Sequence, residues 1–191
     1  MRNLKKKVII VTDGDRIAKK AVEKAAKNIH GRCISMSAGN PTNLKGSDII
    51  RLINIAKYDP VVIMVDDRGN TGKGKGEKAM EYIIHSGEVE VMGIVAVASN
   101  TNGGKGVRVD ISIDKFGNIY SCAVDKNGNK INNKILKGDT VNSLNSYPDL
   151  FVVGIGDPGK MDDLDSISIG SPVVTRALQE IIKKYRNGNG I

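Results

Sequence analysis

The chain alternates short apolar runs rich in Val and Ile with segments whose apolar residues recur at helical spacing. Four runs in the first half predict strands at Lys7–Thr12, Arg32–Met36, Val61–Val65 and Val91–Ala98. Helices are predicted between them at Arg16–Asn28, from a Ser47 cap to about Lys57, and at Glu77–His85. Gly31 is expected just past the end of the first helix. Buried strands separated by helices are typical of a parallel sheet with helices on both faces.

The pattern changes after Ser99. Val107–Asp114 alternates apolar and polar residues, and a turn at Lys115–Asn118 leads into a second strand at Ile119–Val124. We therefore expect antiparallel strands in the middle of the chain, either added to the sheet or extending its edge.

The last part of the chain returns to the first pattern. Leu150–Ile155 predicts another buried strand, and Ser171 followed by Pro172 predicts the start of the final helix, with Ser171 as its cap. Together these segments predict a single α/β domain over residues 1–191. The expected fold is a three-layer sandwich with a mostly parallel central sheet, Toprim-like or flavodoxin-like, plus the antiparallel strands of the middle section.

Composition excludes several classes of protein. Aromatic residues make up only 4% of the chain, too few for a stacking platform, so nucleic acid is not the expected partner. No run reaches the roughly 18 apolar residues of a membrane-spanning helix, and Val8–Val11 is too short for the core of a signal peptide. We therefore expect a soluble cytoplasmic protein in which Cys33 and Cys122 are reduced.

The formal net charge of +8 suggests an anionic partner. Basic residues cluster at Lys5–Lys7, at Lys73–Lys78 and at Lys183–Arg186. One interpretation is a solvated surface, with the last cluster complementing the dipole of a C-terminal helix. The other is a contact with an anionic membrane surface or an acidic protein.

Acidic residues follow three of the predicted strands. They are Asp13 and Asp15 after the first, Asp66 and Asp67 after the third, and Asp157 after the last. The carboxyl ends of parallel strands share one edge of a sheet, where ligands of open α/β folds bind. Converging carboxylates would attract a cation, and Mg²⁺ suits them because it takes few carboxylates and keeps waters. We therefore name Asp13, Asp15, Asp66 and Asp67 as candidate metal ligands; the alternative is that they cap helices and turns.

Two glycine motifs fall short of a nucleotide site. The loop Gly69–Gly76 resembles a phosphate-binding P-loop but has Gly76 where Ser or Thr should bind the metal, so we interpret it as a cationic loop. Lys73 and Lys75 remain candidates for binding a small anion. The spacing of Gly154, Gly156 and Gly159 matches the dinucleotide pattern, but no helix is predicted to follow.

Five segments carry a resemblance that is more specific than either glycine motif. They are Val11–Asp15, Gly31–Ser35, Ser37–Pro41, Ala98–Thr101 and Gly154–Met161. From about Lys7 to Ile182, the chain resembles the stage V sporulation protein AE family.

This resemblance implies a component of the forespore system that moves dipicolinic acid and calcium into the developing spore and out at germination. Its partners would be the other subunits of that system, which supply the membrane spans, and it would lie against the spore inner membrane. The family implies no catalytic residues. Asn40 and Asp157, which lie in two of the matching segments, join Lys73 and Lys75 as candidate ligand-binding residues.

A second resemblance is to the Toprim domain, in which acidic residues at two strand ends hold Mg²⁺ for phosphoryl chemistry. Asp13 would take the first position, and Asp66 with Asp67 the second. In another alignment Asp13 and Asp15 form the Asp-x-Asp pair themselves, but then no acidic residue precedes the pair. This sequence has Asp where the first strand of a Toprim domain ends in Glu, and Asp66-Asp67 departs from the Asp-x-Asp spacing.

The sequence thus favours a non-catalytic accessory protein of sporulation and germination. The alternative is a Mg²⁺-dependent, Toprim-like phosphoryl-transfer or nucleic-acid-cleaving enzyme that uses Asp13, Asp15 and Asp66. A third function is the binding of a small anion such as dipicolinate by the Lys73–Lys78 loop. The sequence predicts no definite cofactor. Mg²⁺ is the cation that the acidic strand ends would bind.

Overall fold

The computed structural model describes residues 4–69, 73–100 and 104–188. Its strands are β1 (Lys7–Val11), β2 (Arg32–Cys33), β3 (Val61–Met64), β4 (Glu90–Val97), β5 (Val107–Arg108), β6 (Ile111–Ile113), β7 (Ile119–Tyr120), β8 (Ile135–Leu136) and β9 (Val152–Ile155). Its α-helices are α1 (Arg16–Asn28), α2 (Gly46–Asn54), α3 (Lys75–His85) and α4 (Pro172–Gly188).

The main sheet has the strand order β2-β3-β1-β4-β9-β6-β7. All neighbours in it are parallel except β6 and β7, and β5 pairs with β8 in a separate antiparallel sheet. This arrangement confirms the predicted mostly parallel sheet. The order differs from that of flavodoxin, in which the first strand lies between the second and third; here β3 lies between β2 and β1.

Helices cover both faces of the sheet, as predicted. The pleat of β1 directs Val8 and Ile10 into a core with α2 and α3, whereas Ile9 and Val11 pack with α1 and α4. All four side chains are almost completely buried. None of the helices within the described ranges has the length and hydrophobicity that a membrane crossing requires.

The first helix spans Arg16–Asn28 as predicted, but Gly31 is not its left-handed residue. His30, not Gly31, adopts the left-handed conformation, with φ of 56°. The Gly31 N–H donates to the Ala26 carbonyl oxygen at 2.9 Å, and the His30 N–H donates to that of Lys27 at 3.0 Å, which is the Schellman pattern. Gly31 is needed for a different reason: a Cβ there would lie 2.6 Å from the Pro60 carbonyl oxygen.

Three predicted boundaries differ in the structure: the end of β2 and both ends of α2. The second strand stops at Cys33, because the chain turns into a 3₁₀ segment at Ser35–Ser37 instead of continuing to Met36. The helix begins at Gly46, without a side-chain cap from Ser47, and stops at Asn54. Close contact between α2 and α3 fixes this start, since a Cβ on Gly46 would lie 2.7 Å from the Tyr82 Cβ.

The middle section contains the predicted hairpin but not the long strands. Val107–Asp114 divides into β5 and β6, which belong to different sheets, and only Ile119–Tyr120 of the following strand is formed. Asp114 stabilises the turn, because its Oδ1 accepts hydrogen bonds from the Phe116 and Asn118 N–H groups at 2.9 and 2.8 Å. β6 is parallel to β9, so it extends the sheet with one more parallel strand.

The final helix begins at Pro172 as predicted, but its cap is not Ser171. Asp165 Oδ1 accepts hydrogen bonds from the Val173 and Val174 N–H groups at 2.7 and 3.3 Å. The Ser171 hydroxyl is buried and has no hydrogen-bond partner among the described residues. A carboxylate from the preceding loop therefore replaces the local cap.

Replacing Asp165 by Ala should lower the free energy of unfolding by about 1–2 kcal/mol, because two N–H groups at the buried start of α4 lose their acceptor. The control is Ser171→Ala, which removes a hydroxyl without a partner and should be close to neutral. Urea denaturation of both variants measures the difference. Equal losses in the two would contradict the assignment of the cap.

Candidate functional site

The loops that follow β1 and β3 meet at the carboxyl edge of the sheet. The Gly14 N–H donates to Asp66 Oδ2 at 3.2 Å, which ties the two loops together. Gly14 also lies against Gly39: a Cβ on Gly14 would be 2.7 Å from the Gly39 carbonyl oxygen. The segment that contains Asn40 therefore packs onto this edge, where Asn40 itself is exposed.

Asp13 lies at the centre of the acidic edge. Its Oδ1 accepts a hydrogen bond from the Asp15 N–H at 3.2 Å. Burial raises the pKa of Asp13 well above its usual value, and the negative charges of Asp15, Asp66 and Asp157 raise it further. The structure thus brings together acidic residues from three strand ends, which is the convergence that the sequence predicted.

Asp15 caps α1. Its Oδ1 accepts hydrogen bonds from the Ile17 and Ala18 N–H groups at 2.7 and 2.8 Å. This is the helix-capping alternative considered for the acidic residues.

Asp66 is 3% exposed, and backbone groups occupy both of its carboxylate oxygens. Oδ1 accepts from the Arg68 N–H at 2.7 Å, and Oδ2 from the Gly14 N–H. Burial raises the pKa of Asp66 to about 6, with a further contribution from the charges of Asp139 and Asp15. Asp66 thereby fixes the two loops that carry the acidic edge.

Asp67 caps α3 from outside the helix. Its Oδ1 accepts from the Gly76 N–H at 2.6 Å and its Oδ2 from the Glu77 N–H at 2.9 Å. In a P-loop these N–H groups would face a phosphate, so here a carboxylate of the chain takes that position. Gly76 cannot be Ser or Thr without a shift of the backbone, because a Cβ would lie 2.7 Å from the Asp66 carbonyl oxygen.

The lysines of the cationic loop lie beside α3. Lys73 forms an ion pair with Glu81, and the hydrogen bond to Glu81 raises the pKa of Lys73. Lys75, in the first turn of α3, is exposed and lines a shallow groove with Lys78 and Tyr82. Residues 70–72 of this loop, like Thr101 of the segment at 98–101, lie outside the described residues.

Asp157 and Lys160 form a charged pair on the same edge. Asp157 Oδ2 accepts from Lys160 Nζ at 2.5 Å, and its Oδ1 accepts from the Gly159 N–H at 2.8 Å. The hydrogen bond to Asp157 raises the pKa of Lys160, and the negative charges of Asp13 and Asp15 add to the effect. Lys160 therefore supplies positive charge where the sequence suggested Mg²⁺.

No helix follows the glycine pattern that ends β9, as the sequence indicated. Gly156 packs against another loop instead, since a Cβ there would lie 2.6 Å from the Gly128 nitrogen. The next α-helix begins only at Pro172. A dinucleotide would therefore lack the helix start that holds its pyrophosphate.

Sequence reasoning missed several residues that hold the site. The Asp66 N–H donates to Thr42 Oγ1 at 2.8 Å, and the Asp67 N–H donates to Thr140 Oγ1 at 3.0 Å. Asp139 Oδ2 accepts from the Gly69 N–H at 2.5 Å. These side chains come from loops remote in sequence and belong to no motif; only the spacing of Lys160 three residues after Asp157 gave a local signal.

The edge is organised more as a set of hydrogen-bond acceptors than as an open metal centre. Across residues 4–69, 73–100 and 104–188, no three or more His, Cys, Asp or Glu side chains are grouped so as to hold a metal ion. The oxygens of Asp66 and Asp67 already accept backbone hydrogen bonds. A metal-binding role of Asp13, Asp15, Asp66 and Asp67 therefore stays a prediction.

Asp13→Asn should raise the free energy of unfolding by roughly 1 kcal/mol at a pH where Asp13 is ionised, because the amide keeps an acceptor for the Asp15 N–H while the repulsion is lost. Well below the raised pKa of Asp13 both side chains are neutral, so the gain should shrink on acidification. Asp15→Ala is the contrasting variant and should lose about 1 kcal/mol with the cap of α1. Urea midpoints over a pH series measure both; a loss of stability in Asp13→Asn across the series would show that Asp13 is structural.

Asp66 and Asp165 make the stability depend on pH. Burial raises the pKa of each to about 6, so each binds its proton more tightly in the folded chain than in the unfolded chain. Their contribution to stability is fully present below about pH 4 and is lost as the pH rises through about 6. We expect the free energy of unfolding to be higher near pH 5 than near pH 8, by on the order of 2 kcal/mol.

A urea series across this range tests the expectation, with Asp66→Asn and Asp165→Asn as variants that should flatten the profile. Stability that falls steadily between pH 8 and pH 5 would contradict it.

The family resemblance suggested by the sequence is confirmed by comparison with known families. The family model described as stage V sporulation protein AE1, SpoVAE, matches residues 7–185 of the 191. The match covers β1 through most of α4 and every residue of the acidic edge. Comparisons with curated proteins and with solved structures gave no significant match. The chain therefore belongs to the stage V sporulation protein AE1 family.

Proposed function

We propose that this sporulation protein is a non-catalytic accessory of the membrane system that moves dipicolinic acid and calcium into the spore and out at germination. It would act in the forespore, peripheral to the spore inner membrane. The observation that carries the proposal is the family match over residues 7–185. The acidic edge and the distribution of basic residues support it from the structure.

The acidic edge favours a non-catalytic role. Asp15 and Asp67 cap helices, Asp66 joins two loops, and Asp157 is paired with Lys160. A Mg²⁺-dependent, Toprim-like enzyme needs carboxylate oxygens directed at a metal, and most of these oxygens accept hydrogen bonds from the chain itself. That alternative therefore has less support than an accessory role.

Two basic clusters that are distant in sequence lie together at the opposite end of the sheet. Lys7 Nζ is 5.6 Å from the centre of the Tyr185 ring, and Lys184 Nζ is 5.8 Å from that of Phe151. These contacts place the end of α4 beside the starts of β1 and β9. The basic residues of the two clusters, Lys5, Lys6, Lys7, Lys183, Lys184 and Arg186, are here called the basic end. Lys183 and Arg186 line a groove beside Ile29.

The basic end supports a peripheral contact with an anionic surface. Attraction to anionic lipid contributes about 1 kcal/mol per basic residue near the membrane and decays within a Debye length. Lys7 and Lys184 already contact aromatic rings of the chain, so their charges are less available to lipid. Lipid binding would therefore be salt-sensitive, and stable localisation would need an acidic face on a companion subunit.

The test is co-sedimentation with phosphatidylglycerol-containing vesicles over a salt series, with and without the companion subunits. Lys5→Glu combined with Lys183→Glu should weaken binding to bare vesicles at least ~10-fold at low salt. Lys20→Glu combined with Lys105→Glu changes the net charge equally at exposed positions outside the basic end and should have a smaller effect.

Vesicles that carry the companion subunits should retain the protein at salt concentrations that release it from bare vesicles. Binding to bare vesicles that survives high salt, or equal losses in the two double variants, would contradict the proposal.

A further inference from the structure

An apolar groove lies beside β2, the strand at the open edge of the main sheet. It separates β2 from the end of α2 and has a volume of about 490 Å³. Met36, Ile55 and Tyr58 line it and are 65, 76 and 60% exposed. The nearly buried Cys33 and Ile34 also line it. Large apolar side chains are thus exposed to solvent around a recess that leads to the edge of the sheet. Exposed apolar patches of this kind are typical of interaction sites.

The backbone of β2 offers hydrogen-bonding groups to the same region. The Arg32 N–H donates to the Pro60 carbonyl oxygen and the Ile34 N–H to that of Val62, both at 2.9 Å. In a parallel pair alternate residues bond to the neighbouring strand, so the N–H and C=O of Cys33 face the open side. Within the described residues they have no hydrogen-bond partner. Such an edge can accept an added strand.

The charges at the groove determine which occupant fits. Its lining contains two charged residues, Arg32 and Lys57, and both are basic and exposed. In a two-fold contact with a second copy, Arg32 and Lys57 would meet the same basic patch, and each chain carries a net charge of +8. Carboxylates on a partner would instead meet both residues favourably.

We propose that this surface, here called the β2 groove, binds an extended segment of a partner protein that combines apolar side chains with Asp or Glu. The segment pairs with the backbone of Cys33 as an added strand. Its apolar side chains fill the recess between Met36, Ile55 and Tyr58, and its carboxylates face Arg32 and Lys57. The β2 groove shares no residue with the basic end, so variants of one surface leave the residues of the other unchanged.

The experiment is selection of a random 12-residue peptide library displayed on phage against the full chain. Enriched peptides should contain alternating apolar residues with Asp or Glu, and synthetic copies should perturb the amide resonance of Cys33 in NMR spectra. Ile55→Glu should weaken their binding at least ~10-fold, because it puts a carboxylate on the apolar rim. Arg32→Glu should weaken the binding of the acidic peptides. It should not weaken the binding of versions in which Lys replaces their acidic residues.

Ile169→Glu is the matched control, since Ile169 is 58% exposed and lies outside the groove lining. Its binding should equal that of the unmodified chain. The proposal would be overturned if the selection yields no binding peptides, or only basic ones. It would also be overturned if Ile55→Glu and Ile169→Glu weaken the binding of the peptides equally. A concentration-dependent dimer in analytical ultracentrifugation that Ile55→Glu dissociates would overturn it too, because the occupant would then be a second copy.

Discussion

Hydrogen bonds from backbone N–H groups to buried carboxylates hold the carboxyl edge of this sheet together. Asp15 caps α1, while Asp67 and Asp165 cap α3 and α4 from loops eight to ten residues away. Asp66 joins the loops after β1 and β3. Each bond satisfies a donor that the end of a helix or the turn of a loop would otherwise leave unpaired. Several elements therefore depend for their placement on a carboxylate at this edge.

Burial gives this arrangement an electrostatic cost. Desolvation raises the pKa of Asp13, Asp66 and Asp165, so the charged form that accepts the strongest hydrogen bonds is also the form that burial disfavours. Lys160 offsets part of the cost, because its ammonium group bonds to Asp157 and is attracted by the charges of Asp13 and Asp15. The repulsion that suggested a metal from the sequence is thus partly balanced inside the chain.

The layers of the fold were predictable because they follow from periodicity within single segments. The unbroken apolar runs of β1, β3 and β4 and the spacing of α1 need no knowledge of distant residues. The caps of α3 and α4 come from carboxylates eight to ten residues away, outside the local capping pattern. The division of Val107–Asp114 between two sheets depends on strands far along the chain. At the site, the acidic strand ends predicted that Asp13, Asp66 and Asp157 converge, but Asp139 and the two threonines that hold the loops carried no sequence signal.

The separation of charge between the two ends of the sheet arises partly from helix dipoles. Basic side chains occupy the last turns of the four helices, at Lys27, Arg51, His85 and Arg186. Cations there are favoured by the negative helix end whatever the protein binds. The helix dipole therefore accounts for Arg186 whether or not the protein binds an anionic partner. Lys5 and Lys6 precede β1 and complete no helix. The helix dipoles do not account for them, so the functional argument for an anionic partner depends on them most.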